Sequence, residues 1–145
     1  MRIVDEALFH PRRLARCVLV SRQPDRLLEF YTSVAGLTRL AGESGVHVLR
    51  GTETSHGAHL VIVPWTDGIE PGLHHFSLEL EDESALNVAA DALGARGASI
   101  DRRISCAAKR SIFLRDPDGQ RVEMFCDARY TRLDESHWPL DPYLI

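Results

Sequence analysis

The sequence lacks long apolar runs and lacks an excess of positive charge. Its longest strictly apolar runs, residues 17–20 and 60–63, fall far short of the ~20 residues that a membrane-spanning helix needs. The chain carries 17 lysines and arginines against 21 aspartates and glutamates, for a net charge of -4. Nucleic-acid-binding proteins ordinarily show a basic excess or a basic stripe. We therefore expect neither a membrane span nor a nucleic-acid partner.

Cysteine is scarce and forms no recognisable pattern. The chain has three cysteines, Cys17, Cys106 and Cys126, and an odd number without a C-x-x-C spacing does not make a disulfide framework. Two acidic residues stand at positions 5 and 6, where a secretory signal would place its apolar stretch. These features predict reduced thiols in a cytoplasmic protein.

Several common catalytic motifs are also missing. The sequence has no phosphate loop, no dinucleotide-binding glycine motif, no nucleophile elbow and no zinc-protease helix motif. The enzyme classes that depend on those motifs are excluded on this basis.

The hydrophobic pattern repeats along the chain, whose 145 residues fit one domain. A strand-like run at residues 14–20 precedes a helical face formed by residues 27, 28, 31 and 34. Three strand-like segments follow, and the second and third of them are residues 46–49 and 58–63. Residues 75–80, a helix over 83–93, and strands at 98–100, 111–114 and 121–125 repeat that order. Each half is therefore predicted to be a βαβββ module.

Alignment of the two halves makes specific residues equivalent. Arg16 and His75 are 59 residues apart and occupy the same place in the first strand of each half. Alignment of the last strands pairs Val61 with Glu123. Residues 116–119, with the sequence DPDG, predict a tight turn before the last strand because glycine accepts a positive φ.

The predicted fold class is α+β. Two modules, about 12–70 and 72–126, form a curved mixed eight-stranded sheet with helices on its convex face, and a C-terminal extension covers 127–145 of the single domain 1–145. Alternation along the strand places His75, Ser77 and Glu79 on the concave face, and Phe76, Leu78 and Leu80 on the helix side. A polar-lined concave face is therefore expected.

Three segments resemble the vicinal oxygen chelate superfamily, which includes glyoxalase I, bleomycin-resistance proteins and extradiol dioxygenases. They are residues 27–31 followed by Gly36 and Leu37, residues 72–76, and residues 115–123 with the sequence RDPDGQRVE. The resemblance covers residues 12–126. It implies a small-molecule ligand, and a homodimer is expected because members of the superfamily commonly pair.

The resemblance also implies where a metal would bind. In this superfamily the ligands lie on the first and last strands of each module, at positions that match Arg16, Val61, His75 and Glu123 here. His75 and Glu123 are thus the candidate metal ligands, for a divalent ion such as iron or manganese, and the alternative is a site without a metal. Extradiol enzymes use two histidines and a glutamate. Arg16 stands where the first histidine would be, and an arginine does not ligate a metal.

Two interpretations of this position remain open. Arg16 either pairs with Glu123 and replaces the ion, or another histidine (His10, His56, His59 or His74) or a second protein copy completes a metal site. The pairing is favoured, because the arginine's positive charge opposes a divalent ion. Replacement of Arg16 by histidine is accordingly expected to restore the ligand set. Arg16 is also suited to bind an anionic ligand.

Two further residues are assigned to the concave site. His59 is suited to act as a general base for a catechol, or else it is a hydrogen-bonded structural residue. Phe113 lies about where dioxygenases often carry a tyrosine, and we assign it a ligand contact. His74 is expected to pack on the helix side, and the C-terminal extension either closes over the site or covers an edge or a dimer partner.

The sequence therefore predicts a glyoxalase-like or extradiol-dioxygenase-like protein that binds a small aromatic or oxygenated molecule at a degenerate metal site. One alternative is an active metal-dependent dioxygenase or lyase that uses His75 and Glu123. The other is a bleomycin-resistance-type binding protein without catalysis. Whether the protein is an enzyme stays open at this stage.

Overall fold

The computed structural model describes residues 9–42, 45–52, 58–95, 100–105 and 109–127. The first half contains β1 (Arg13–Ser21), α1 (Pro24–Glu29) continued by a π-helical turn (Phe30–Val34), β2 (Thr38–Ala41), β3 (His47–Arg50) and β4 (His59–Pro64). The second half contains β5 (Gly72–Glu79), α2 (Glu83–Ala95), β6 (Arg102–Ser105), β7 (Lys109–Arg115) and β8 (Arg121–Asp127). Neither described helix combines the length and apolar character required to cross a bilayer.

All eight strands form one sheet in the order β2-β3-β4-β1-β5-β8-β7-β6. In each half the first strand runs parallel to the last, and β1 and β5 meet as an antiparallel pair at the centre. A parallel pair needs a long crossover connection, which the helix and two intervening strands of each half supply. The predicted α+β fold with two βαβββ modules is confirmed.

The central strand pair relates the two halves symmetrically. Arg16 lies opposite Ser77, and Val18 lies opposite His75. The offset of 59 residues that separates Arg16 from His75 also separates Val18 from Ser77. The halves are therefore related by an approximate twofold axis between β1 and β5.

The outer strand pairs follow the same symmetry. Val18 lies opposite Val61 on β4, and Ser77 lies opposite Glu123 on β8. The strand register thus relates Val61 to Glu123 in the way that the sequence alignment of the halves indicated.

The hydrophobic core has two parts on opposite faces of the sheet. In the second module, α2 packs on β7 and β8, and its helically spaced residues Leu86, Ala90 and Leu93 contact Leu80, Ile112 and Cys126. In the first module, a valine cluster covers the face that carries Arg16, and its members are Val18, Val46, Val48, Val61 and Val63. The concave face over the first module is therefore mainly apolar apart from Arg16 and His59, and the expected polar lining is concentrated where the two modules meet.

Two local predictions differ from the structure in part. Of the strand predicted at residues 98–100, only Ile100 is among the described residues; it lies outside any strand and packs into the α2 cluster, and β6 begins at Arg102. Residues 96–99 lie outside the described residues. Val34 was predicted to share one helical face with residues 27, 28 and 31, but it is 73% exposed whereas those three residues are partly buried. The wider π-helical turn shifts the phase of the residues after Glu29.

The turn before β8 forms as predicted. Asp116 accepts hydrogen bonds at 2.9 Å through its side-chain Oδ1 from the backbone N–H groups of Asp118 and Gln120. Gly119 has a φ of +86°, in the left-handed region that disfavours side chains. This turn sets the start of the strand that carries Glu123.

We predict that Gly119→Ala lowers the free energy of unfolding by about 1–2 kcal/mol, because a Cβ disfavours the left-handed conformation. Nothing lies within 4 Å of the added Cβ, so the cost is conformational alone. Gly51→Ala is a matched control, since its Cβ also meets nothing within 4 Å and its φ is outside that region. Urea denaturation of both variants tests the prediction, which an equal effect at the two positions would contradict.

Candidate active site

One row of side chains crosses five neighbouring strands on the concave face. Residues that lie directly opposite one another in adjacent strands project from the same face of a sheet. From β4 to β7 the row consists of His59, Arg16, Ser77, Glu123 and Phe113. His75 is two residues before Ser77 on the same strand and shares its face. The structure therefore brings together on one face all five residues that the sequence assigned to the site.

Glu123 lies between Ser77 and Phe113 in this row and is completely buried. Its Oε2 accepts a hydrogen bond from Lys109 Nζ at 2.6 Å. Its Oε1 accepts hydrogen bonds from Ser77 Oγ at 2.6 Å and from Arg16 Nη2 at 3.3 Å. Both carboxylate oxygens are therefore engaged, and two positive charges flank the negative one.

Arg16 is held between a carboxylate and an aromatic ring. It is 2% exposed, and its Cζ lies 4.6 Å from the centre of the Phe125 ring, in a cation–π arrangement. The structure thus contains the ion pair between Arg16 and Glu123 that was favoured over a completed metal site.

Lys109 is the main residue that sequence reasoning missed. It is only 1% exposed, although a lysine at the start of a strand is ordinarily a solvent-facing residue. The available signal was alternation, because Lys109 lies four residues before Phe113 on β7 and shares its face. Ser77 was placed on the correct face but was not assigned to the site.

His75 lies between Glu123 and a second histidine. Its Nε2 is 3.7 Å from Glu123 Oε1, too far for a hydrogen bond, and has no hydrogen-bond partner among the described residues. Its Nδ1 is 2.8 Å from Nδ1 of His74, and its ring packs edge-on against Phe113 with centroids 5.0 Å apart. The favourable tautomer of His75 carries its proton on Nε2, because that proton then faces the carboxylate of Glu123. Its Nδ1 is then an acceptor, and His74 donates a hydrogen bond to it from Nδ1.

The prediction that His74 packs on the helix side was wrong. Its ring is buried and contacts His75. The reason is a bulge between the central strands: Val18 pairs with His75, but the next residue, Leu19, pairs with Leu73. His74 is the extra residue, and a bulge interrupts strict alternation of side chains between the two faces.

The charges of the site follow from its pKa values. Burial alone would raise the pKa of Glu123, but Lys109 and Arg16 outweigh it and lower the pKa to about 2. Burial lowers the pKa of His75 to about 3, against the opposing effect of Glu123. Burial, with contributions from Arg121 and other arginines, lowers the pKa of His74 to about 4. At neutral pH the carboxylate is therefore charged and both imidazoles are neutral.

The residues present do not fit a divalent metal ion. Within the described ranges, no three histidine, cysteine, aspartate or glutamate side chains form a group that could hold one. Of the histidines considered as a third ligand, His56 lies outside the described residues. The Lys109 ammonium also occupies the carboxylate oxygen that such an ion would require.

The centre of the site is closed to solvent. Arg16, Ser77, Glu123 and Phe113 are all buried, and His59 is the member of the row that keeps partial exposure. The role of His59 as a base and the ligand contact of Phe113 remain predictions. The C-terminal extension from residue 128 onward, with its two alternative roles, lies outside the described residues.

The described cysteines do not contribute to this site. Cys17 and Cys126 are free thiols, and burial raises the pKa of both, with Glu83 adding to the effect at Cys126. Cys106 lies outside the described residues.

The described structure thus consists of two paired βαβββ modules with charged and imidazole side chains at the centre of their shared concave face. The model of the Glyoxalase/Bleomycin resistance protein/Dioxygenase superfamily matches residues 13–124. The chain belongs to this superfamily.

One relative agrees with this assignment, and two solved structures share the fold. Catechol-2,3-dioxygenase of Bacillus subtilis (strain 168) is 31% identical over 117 residues, which cover 75% of this chain and 39% of that protein. The 2,3-dioxygenase LapB from Pseudomonas sp. KL28 matches with a TM-score of 0.60 and 23% identity, covering 80% of this chain and 42% of the other. The Mn(II)-bound glyoxalase from Novosphingobium aromaticivorans matches with a TM-score of 0.64 and 20% identity, covering 92% and 45%. The chain thus spans less than half the length of each of these relatives.

The two neutral histidines predict a loss of stability in acid. The folded state depresses both pKa values below the ordinary 6.5. The contribution of the two neutral rings to the free energy of unfolding is therefore fully present above pH 6.5. It is lost as the pH falls towards 3 or 4, since the unfolded chain takes up protons that the folded chain does not. Each histidine contributes a slope of up to about 1.4 kcal/mol per pH unit.

We predict that His75→Asn reduces this slope by about 1.4 kcal/mol per pH unit between about pH 6 and pH 4, because one of the linked protons is removed. Urea denaturation at a series of pH values measures it. His10→Asn, at an exposed histidine, is the control and should retain the slope of the natural protein. An unchanged slope in His75→Asn would show that this ring is protonated alike in the folded and unfolded states.

Proposed function

We propose that this chain binds a small, oxygenated aromatic molecule with anionic character on its concave face, with the ion network around Glu123 taking the place of a metal. The observation that carries the proposal is a fully buried carboxylate held by Lys109, Arg16 and Ser77 where the two modules meet. Buried ion pairs contribute little net stability. Groups with strongly shifted pKa values cluster at functional sites.

The surroundings of the network suit a flat aromatic ligand. The valine cluster of the first module supplies an apolar wall on the same face as Arg16, and apolar walls with a few polar groups are typical of small-molecule sites. The planar guanidinium of Arg16 is suited to a carboxylate or a phenolate. Relatives named for catechol and homoprotocatechuate support this chemical class of ligand.

His59 is proposed as the residue at the border of the site. It pairs with Arg16 across the β1–β4 register and keeps partial exposure. A histidine in this position is suited to accept the proton of a bound phenol. Phe113, which packs against His75, is proposed to extend the aromatic side of the same site.

The second candidate is a metal-dependent dioxygenase or lyase that uses His75 and Glu123. The similarity to a catechol dioxygenase and to a Mn(II)-bound glyoxalase favours it. In this candidate His75 and Glu123 would hold an iron or manganese ion together with a third ligand, and Lys109 would have to leave Glu123. Elemental analysis of protein purified without chelator separates the two: a full equivalent of metal supports the enzyme, and a small fraction supports metal-free binding of the bleomycin-resistance type.

The oligomeric state, the cellular location and the domain organisation are part of the same proposal. We infer a cytoplasmic homodimer without a nucleic-acid partner, built on one domain with modules at about 12–70 and 72–126. Both edge strands of the sheet, β2 and β6, are four residues long, and sheet edges are commonly protected by pairing or by a cover. Light scattering coupled to size exclusion measures the number of chains in the assembly.

We predict that Arg16→Ala weakens binding of catechol or homoprotocatechuate by about 1.5–3 kcal/mol, roughly 10–150-fold, because a charged hydrogen bond to the ligand is lost. Isothermal titration of both compounds measures the change. Arg26→Ala, at an exposed arginine of α1, is the control and should bind like the natural protein. Circular dichroism of each variant checks the fold. If Arg16→Ala binds as tightly as the natural protein, Arg16 is not a ligand-binding residue.

A further inference from the structure

We propose that Lys109 is the residue that makes this site select against divalent metal ions, with its ammonium group acting as the resident cation of Glu123. This inference rests on the part of the proposed function that leaves the site without a metal. It does not depend on which organic ligand binds. Its test uses metal ions alone, so it fails or succeeds separately from ligand recognition.

The two cations contact different oxygens of the same carboxylate. Lys109 Nζ lies 2.6 Å from Oε2, whereas Arg16 Nη2 lies 3.3 Å from Oε1. Removal of Arg16 leaves Oε1 hydrogen-bonded to Ser77 at 2.6 Å and leaves Oε2 with the lysine. The shorter and more direct charge contact of Glu123 is therefore with Lys109.

The position of Lys109 on β7 fixes its side chain along the sheet. Glu123 lies opposite Phe113, which is four residues further along the strand, a distance of roughly 13 Å at ~3.3 Å per residue. The lysine therefore reaches Glu123 with its side chain laid along the concave face. Because it is 1% exposed, it cannot yield its place to a metal ion by swinging into water without leaving the core.

A divalent ion on Glu123 would meet this ammonium at close range. Charges repel strongly in a buried site because little solvent screens them. Substitution of Arg16 by histidine restores the histidine, histidine and glutamate set of the extradiol dioxygenases but keeps the buried lysine. The structure thus revises the expectation from sequence: Arg16→His alone is insufficient, and Lys109 must also be replaced.

Four proteins test this directly: the natural chain, Arg16→His, Lys109→Met, and the double variant Arg16→His/Lys109→Met. Methionine keeps a long apolar side chain in the lysine's place without its charge. Titration with Mn²⁺, followed by the loss of the electron paramagnetic resonance signal of the free ion, measures affinity without any activity assay. We expect Arg16→His to gain less than about 10-fold over the natural protein, and the double variant to gain at least about 100-fold over Arg16→His, because only the double variant removes both cations from Glu123.

The matched control is Arg16→His/Lys109→Arg, which supplies the same histidine but keeps a positive charge at position 109. We expect it to bind Mn²⁺ no better than Arg16→His. The proposal is overturned if Arg16→His binds as tightly as the double variant, or if the control gains as much as the double variant.

Circular dichroism decides the case in which the double variant is unfolded. Metal binding to a site formed only in the folded state stabilises that state. Recovery of the native spectrum on addition of Mn²⁺ supports the proposal, and no recovery at millimolar Mn²⁺ overturns it. A full equivalent of metal in the natural protein overturns both this inference and the proposed function, whereas a double variant without affinity overturns this inference alone.

Discussion

The buried carboxylate of Glu123 is the constraint on which the rest of the site depends. A fully buried charge is tolerated only when its partners replace the water that it loses, and here an ammonium, a guanidinium and a hydroxyl do so. Their positions in turn require β1, β5 and β7 to lie in one register around β8. Lys109 and Arg16 keep the carboxylate ionised, and burial holds the neighbouring imidazole of His75 in its neutral form.

The fold was predictable because it depends on patterns that repeat. Alternation identified the faces of the strands, the spacing of apolar residues located α2, and the equivalence of Arg16 and His75 matches the register of the central strands. Errors occurred where one extra residue or a wider helical turn changes the phase. His74 in the β5 bulge and Val34 after the π-helical turn are both cases in which a local backbone irregularity interrupts strict periodicity.

The site was predictable only in part, for a different physical reason. Family-matched positions and the charge of Arg16 indicated its pairing with Glu123, since both residues lie in one row of the sheet. Lys109 reaches the same carboxylate along the strand from a position four residues away from that row. Such a contact follows from the length of a side chain and its burial, and neither strand pairing nor hydrophobic periodicity encodes it.

The distribution of charge along the seam between the modules favours the pairing of unlike halves. β1 contributes two arginines to the seam, and the second module contributes their carboxylates: Arg13 to Glu79 and Arg16 to Glu123. If a second copy of the first module took the place of the second, the symmetry-related positions would present Val20 and Val61 in place of those carboxylates. Burial of Arg16 against a valine is strongly unfavourable, whereas Arg13 is partly exposed. Although the sheet is nearly symmetrical, the charges at its centre are complementary only between unlike halves.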